Sequence, residues 1–304
     1  MAGTLRAVSV LLIVVLAAAG CGRVQRESPS DARSITDDLG RSLRLDGVPQ
    51  RIVSLAPSFT ETLYALGADS LLVGVTRYCN YPPAAKSKTN IGDLLAPDIE
   101  GILALDPDVV LISIEGNSQH TFARLQEFGV RVFVSNPRDL DGVLKSITDI
   151  AEITGRTNTG KKLTSTLRAV RDSVLAHPPV NKPAVLMLLS LQPLIAAGSG
   201  TFIGELIESA GGRNAAGDLT ASYPVMDRED VLLRNPDILL LSDDLSADPE
   251  AVLERFPEWK RLTAFRREAM HRIEADKLMR PGPRLFDILR EFHEMFLHTE
   301  SDHR

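Results

Sequence analysis

Asp98-Ile-Glu-Gly-Ile-Leu-Ala-Leu-Asp-Pro-Asp-Val-Val-Leu-Ile-Ser113 decides how this chain is organised, because the pattern occurs twice. Asp227-Arg-Glu-Asp-Val-Leu-Leu-Arg-Asn-Pro-Asp-Ile-Leu-Leu-Leu-Ser242 aligns with it without a gap, and seven of the sixteen positions are identical. Each copy reads as one physical unit: an Asp cap, a short helix, an Asp/Asn-Pro-Asp stop and a strand apolar on both faces. Any capped helix feeding a buried parallel strand shares part of this pattern. One copy in each half of a chain is nevertheless what two similar lobes require. Outward from the first copy, strands are predicted at residues 51–55, 71–75 and 130–134. Helices are predicted over 59–66, with Ser58 as N-cap, and over 121–128. Beyond residue 139 the strand signal disappears for nearly forty residues, through helices at 140–153 and 158–176. The second of these has about 19 residues, hence roughly 28 Å of length. Strands return at 184–189, 194–197 and 238–242, with helices at 202–210, 249–256 and 283–298. The fold class is therefore α/β, with one lobe over 50–138, a helical connector over 139–178 and a second lobe over 179–304.

The chain has 304 residues, 44% of them hydrophobic and 24% charged, which excludes a disordered chain. A net charge of −6 leaves no basic surplus for binding nucleic acid. Two cysteines cannot build a disulfide scaffold. Fifteen of residues 1–20 are apolar and Arg6 is the single charge among them. The apolar run over 7–19 has the length of a signal h-region and is too short to span a bilayer comfortably. It ends in Ala18-Ala19-Gly20 before Cys21. That arrangement resembles the lipobox of bacterial lipoprotein signal peptides, which implies cleavage after residue 20 and lipidation of Cys21. The alternative is an ordinary cleaved signal with an incidental cysteine. Residues 22–34 are polar and aperiodic, so residues 21–49 are expected to form a flexible tether leading into the first lobe.

Enzyme chemistry finds little support. Gly198-Ser-Gly200-Thr-Phe-Ile-Gly204 follows a strand and precedes a helix, as a dinucleotide loop does, and Asp218 lies near the distance of a ribose-binding acid. The third glycine is one residue late, however, and no strand precedes Asp218, so a tight turn into a helix is the better reading. The six histidines show no metal-ligand spacing, and no Gly-x-Ser-x-Gly elbow is present. Neither a cofactor nor a bound metal is expected. Two segments are more suggestive of ligand binding. Gly74-Val-Thr-Arg-Tyr78-Cys79-Asn-Tyr-Pro-Pro83 places two of the four tyrosines in a stiff loop after a strand, where α/β proteins bind ligands. A packing corner is the plainer alternative, and Cys79 reads as a small space-filler. Asp276-Lys-Leu-Met-Arg280-Pro-Gly-Pro-Arg284 is a rigid turn into the last helix, preceded by a potential donor and acceptor.

Arg51-Ile-Val-Ser-Leu-Ala-Pro-Ser-Phe-Thr-Glu61, residues 73–83, the two repeat units and Arg280-Pro-Gly-Pro-Arg284 together resemble periplasmic binding proteins of the iron-siderophore and vitamin B12 class. These are substrate-binding components of ABC importers, and the resemblance covers about residues 50–298. It implies two Rossmann-like lobes joined by one long bridging α-helix, a monomer, and a ligand held between the lobes with modest closure. Of the class, residues 78–83 are most similar to the cobalamin binders. The resemblance places Tyr78 against a corrin ring, Ser58 in the adjacent loop, Tyr223 as an aromatic on the second lobe, and Asp276 and Arg280 at polar contacts. It equates Glu100 and Glu229 with a pair of acids that dock onto arginines of a dimeric ABC permease. The helix macrodipole alone also favours acids at those positions. Two tryptophans of well-known cobalamin binders fall at Leu94 and Ser113, and Trp259 matches neither. A ferric siderophore or haem, met by Arg77 and Arg280, is the alternative ligand. The multi-histidine cluster of zinc and manganese receptors is missing.

Overall fold

A computed structural model describes residues 33–245 and 248–301. The leader and Cys21 lie outside the described residues. The first lobe contains β3 (Ile52–Ser54), α1 (Pro57–Ala65), β4 (Leu72–Val75), β5 (Thr89–Asn90), α2 (Ile99–Ala104), β6 (Val109–Ser113), α3 (Gln119–Glu127) and β7 (Val132–Ser135). Its five strands are all parallel in the order β5-β4-β3-β6-β7. The chain reverses its direction of winding at β3, which has β4 on one side and β6 on the other. Ligands of open α/β sheets sit beyond the carboxyl ends of strands at such a reversal.

The second lobe contains β8 (Ala184–Leu191), β9 (Leu194–Ala196), α6 (Phe202–Ser209), β10 (Arg213–Asn214), β11 (Val225–Met226), α7 (Arg228–Arg234), β12 (Ile238–Ser242), α8 (Pro249–Arg255), α9 (Thr263–Arg266), β13 (Met270–Ile273), α10 (Ala275–Leu278) and α11 (Leu285–Ser301). Here β8, β12, β13 and β10 are parallel, while along one edge β9 pairs antiparallel with β8 and β11 antiparallel with β9.

The repeat proves to be a structural equivalence. In each copy the Asp caps its helix: Asp98 accepts from Gly101 N at 2.9 Å and Asp227 from Asp230 N at 2.7 Å. Each helix is followed by a residue in left-handed conformation before proline, Asp106 at φ 43° and Asn235 at φ 39°. Asp and Asn tolerate that conformation better than other side chains, which explains the residue choice. The second Asp of each copy then ties down the first strand of its own lobe. Asp108 accepts from Arg51 N at 2.9 Å, and Asp237 accepts from Ala184 N at 2.9 Å. The repeat strands pair with those same first strands, Val109 opposite Ile52 and Ile238 opposite Val185.

Between the lobes run α4 (Leu140–Ile153) and α5 (Thr157–Leu175). α5 packs along α4 and also meets α6 and α11 of the second lobe, while Gly160 in its first turn lies against Ala151 and Leu66. One continuous apolar core consequently crosses the molecule, from Phe59 and Leu63 through Ile147 and Ile150 to Leu206, Phe292 and Phe296. Each lobe adds its own core on the far face of its sheet. A shared core resists a wide hinge motion, since opening would expose it to water.

Two local expectations differ from the structure. Ser58 is not the N-cap of α1; Ala56 holds that position without a side-chain bond, and Pro57 begins the helix. Proline at the first helical position needs no donor, so the start is set by backbone shape rather than by a hydroxyl. Second, the end of the segment read as tether forms a hairpin, β1 (Arg33–Thr36) with β2 (Ser42–Leu45). Ile35, Leu43 and Leu45 enter the shared core, and Asp38 bonds Lys145 Nζ at 2.8 Å and Asn136 N at 2.6 Å.

Candidate functional site

The carboxyl ends of β3, β4, β6 and β7 carry the loops that bear most of the first lobe's candidate residues. Asn117 organises them. Its side chain accepts from Ser113 N at 2.9 Å and donates to Leu55 O at 3.0 Å and Leu94 O at 2.8 Å. One buried amide thereby locks three loops together, including positions 94 and 113.

Tyr78 stands on the loop after β4, 42% exposed, and its hydroxyl donates to Asp93 at 3.1 Å. Asp93 is held below the usual carboxylate range, chiefly by the backbone N–H of Leu95, with the Tyr78 hydroxyl and Arg77 adding to it against a smaller effect of burial. Arg77 approaches the same carboxylate at 3.8 Å and remains largely exposed. Cys79 is buried beside Thr76, and burial pushes its thiol up, as befits a space-filler.

The second lobe meets this loop through Asp276 and Arg280. The Asp276 carboxylate accepts from Asn80 Nδ2 at 2.7 Å and from Arg280 Nη2 at 2.5 Å. Arg280 also donates to Asn80 Oδ1 at 2.7 Å and to the Tyr78 carbonyl at 3.1 Å. Arg280 is 8% exposed, so its guanidinium faces protein acceptors rather than open solvent. Ser58 is buried in the first turn of α1, next to Gly282 of the Pro-Gly-Pro turn. The structure thus gathers Ser58, Tyr78, Asp276 and Arg280 at one junction between the lobes.

Tyr223 belongs to a different part of that junction. It is 38% exposed on the loop before β11, and its hydroxyl is pushed up by burial and then by Glu115 of the first lobe, with Arg138 opposing. Glu115 and Arg138 pair with each other at 3.3 Å on the loops after β6 and β7. Neither was singled out from sequence. Both are ordinary charged loop residues whose position depends on strand order.

Glu100 and Glu229 occupy the same place in α2 and α7, one residue after the first helical position, and both are exposed. Neither forms an ion pair with another described residue. Beside Glu229 lies a hollow of about 440 Å3 lined by Gln192, Pro193, Arg228, Arg255 and Phe256, among others.

The glycine-rich segment is a closed turn. Thr201 caps α6 by accepting from Gly204 N at 3.0 Å, and a Cβ on Gly198 would lie 2.4 Å from Ala221 O. Asp218 is engaged by Arg234 at 2.5 Å, which holds it below its usual range. Trp259 is fully buried and stacked on Phe256 at 4.1 Å, serving the second lobe's outer core. Among the described residues there is no group of three or more metal-binding side chains, and no helix is long and apolar enough to cross a membrane.

Comparison with known proteins gives this architecture its kin. The profile of the periplasmic binding protein family matches residues 52–276. An ABC transporter substrate-binding lipoprotein of Bacillus subtilis, YvrC, is 28% identical over 300 residues, covering 93% of this chain and 94% of that protein. A vitamin B12-binding protein of Vibrio cholerae is 28% identical over 244 residues, covering 80% of this chain and 87% of its own length. Among solved structures, the periplasmic vitamin B12 binding protein BtuF of Vibrio cholerae superposes with a TM-score of 0.73 at 26% identity, covering 83% of this chain and 98% of that one. The periplasmic heme-binding protein RhuT from Roseiflexus sp. RS-1 superposes with a TM-score of 0.75 at 29% identity, covering 83% of this chain and 99% of that one. With two α/β lobes, paired repeat units and a family match over most of its length, the chain belongs to the periplasmic binding protein family.

Proposed function

We propose that this protein is the extracytoplasmic substrate-binding component of an ABC importer, anchored to a membrane through lipidated Cys21, and that it carries a corrinoid of the vitamin B12 class between its lobes. The observation that carries the ligand reading is Tyr78. A half-exposed ring stands on a loop gripped by the second lobe, offering a flat apolar face with a polar tip. Tyr223 offers a second such face from the other lobe. Around them Asp93, Asp276, Glu115 and Arg138 can meet the amide-rich rim of a corrinoid. The vitamin B12-binding relatives support the same reading.

A ferric siderophore or haem is the second reading, favoured by the heme-binding structural relative. An anionic ligand needs exposed cations. Arg280 has its terminal nitrogens engaged within the protein, so Arg77 and Arg138 are left to serve this end. Ligand delivery would bring Glu100 and Glu229, one on each lobe, against basic side chains of a dimeric permease. The test is titration of the purified mature protein with cyanocobalamin, a ferric siderophore and hemin. Saturable binding of cyanocobalamin is expected. Failure of every corrinoid at micromolar concentration, with hemin or a siderophore binding, overturns the ligand assignment in favour of the second reading.

A further inference from the structure

Glu61 has no part in the ligand contacts proposed above, yet it is the most heavily engaged carboxylate at the junction. It sits in α1 of the first lobe and is 4% exposed. Both arginines of the Arg280-Pro-Gly-Pro-Arg284 turn, from the second lobe, converge on it. Arg284 forms a fork, Nε to Oε2 at 2.9 Å and Nη2 to Oε1 at 2.6 Å, and Arg280 Nη1 adds a third bond to Oε1 at 3.1 Å. Arg284 also lies over the Tyr81 ring at 4.0 Å. Arg280 holds Asn80 and the Tyr78 carbonyl, so the two arginines grip both ends of residues 78–81.

A lone carboxylate this deeply buried is strongly unfavourable, and removing one partner of a buried pair strands the others. Parting the lobes at this edge would break all three bonds to Glu61 at once, while Arg280 keeps Asp276 and Arg284 keeps Glu274 within the second lobe. The described residues near Tyr223 are held more loosely: the Glu115–Arg138 pair stays within the first lobe, with side chains 33% and 53% exposed, and a single bond, Leu140 N to Glu205 Oε2 at 2.6 Å, ties the start of α4 to the second lobe.

We propose that Glu61 is a positioning residue, the fixed point about which the lobes are set. It holds Tyr78 and Asp276 in place before ligand arrives, and opening occurs at the Tyr223 edge. The ligand half of this inference rests on the cleft function proposed above; the lobe-setting half does not.

The test uses the mature chain with Cys21→Ser, spin-labelled through cysteines introduced at Ala104 and Leu233. These exposed positions are equivalent in the two repeat units, one on each lobe. Distances between the labels are measured by pulsed electron resonance without ligand, in the parent and in Glu61→Gln and Arg284→Lys. The parent is expected to give one narrow distribution and both variants a broadened or divided one. Cyanocobalamin affinity is expected to fall by roughly tenfold or more in the variants. If Glu61→Gln does not fold, Arg284→Lys, which retains the charge but not the fork, decides alone. Parent-like distance distributions in the folded variants overturn the proposal, as does a broadened distribution with unchanged cyanocobalamin affinity. A parent that binds no cyanocobalamin refutes the corrinoid reading instead, and the ligand-free distances still judge Glu61.

Discussion

One methyl group added at Gly160 tests whether α4 and α5 are wedged closely against each other. A Cβ at that position would lie 2.3 Å from the Cβ of Ala151. Carbon atoms pack at about 3.5–4.0 Å, so the shortfall exceeds an ångström. Neither atom can rotate away, because each is bonded directly to its backbone. Relief requires moving one helix against the other, within a core that continues into both lobes. Overpacking of this kind costs about 1–3 kcal/mol. Alanine in place of glycine also improves helix propensity by about 0.8–1.0 kcal/mol. With so fixed a clash the upper part of the first range applies, and Gly160→Ala should destabilise by a net ~2 kcal/mol. Ala151→Gly alone should cost about 1 kcal/mol through propensity. The double variant moves the close approach to the opposite helix without a clash, and should return to within about 0.5 kcal/mol of the parent, giving a large coupling in the double-mutant cycle. Urea unfolding followed by circular dichroism reads this as midpoint shifts at constant slope, and Trp259, the single tryptophan, reports on the second lobe separately. A stabilised Gly160→Ala, or additive effects in the double variant, would show that propensity governs the site and that the two helices are not closely wedged.

Glu100→Ala combined with Glu229→Ala should leave ligand affinity intact and weaken association with the cognate permease; unchanged association in a pull-down or by surface plasmon resonance removes their docking role. Asp38 tests the hairpin that follows the tether. Burial raises its pKa, but Lys145 and the Asn136 N–H outweigh burial and hold it below the ordinary 3.8. The unfolded chain therefore binds the proton more readily, so the stability Asp38 supplies is full above the ordinary value and lost as pH falls through the folded one. Asp38→Asn should accordingly be less stable than the parent at pH 7, with the gap closing in strong acid; a gap that persists unchanged there rules out the carboxylate as its source.

Much of the fold was legible because its determinants are local. The strands at β6 and β12 and helix α4 fall where periodicity places them, and α5 differs from its predicted span by one residue at each end. β13 escaped notice because Met270-His-Arg-Ile273 alternates too briefly to distinguish from a turn. The β1–β2 hairpin escaped because its polar alternation, with only Ile35, Leu43 and Leu45 turned inward, resembles a linker until there is a core for it to cover. Loop position and turn chemistry single out Tyr78, Asp276 and Arg280, which the structure brings together at the junction between the lobes. Glu61, Asn80 and Arg284 lay inside the quoted motifs without an assigned partner.

By itself, then, the amino-acid sequence determined most of the longer helices and buried strands, and that two lobes carry one repeated unit. Caps, stops and apolar spacing act over a few residues and leave their mark in any single chain. The tertiary structure decided which charges meet. Glu61 and Arg280 are 219 positions apart, and Asn80 and Asp276 are 196 apart. No local pattern specifies such a contact. It exists because strand order and a shared core bring the two lobes edge to edge, where burial requires charged and polar groups to be paired.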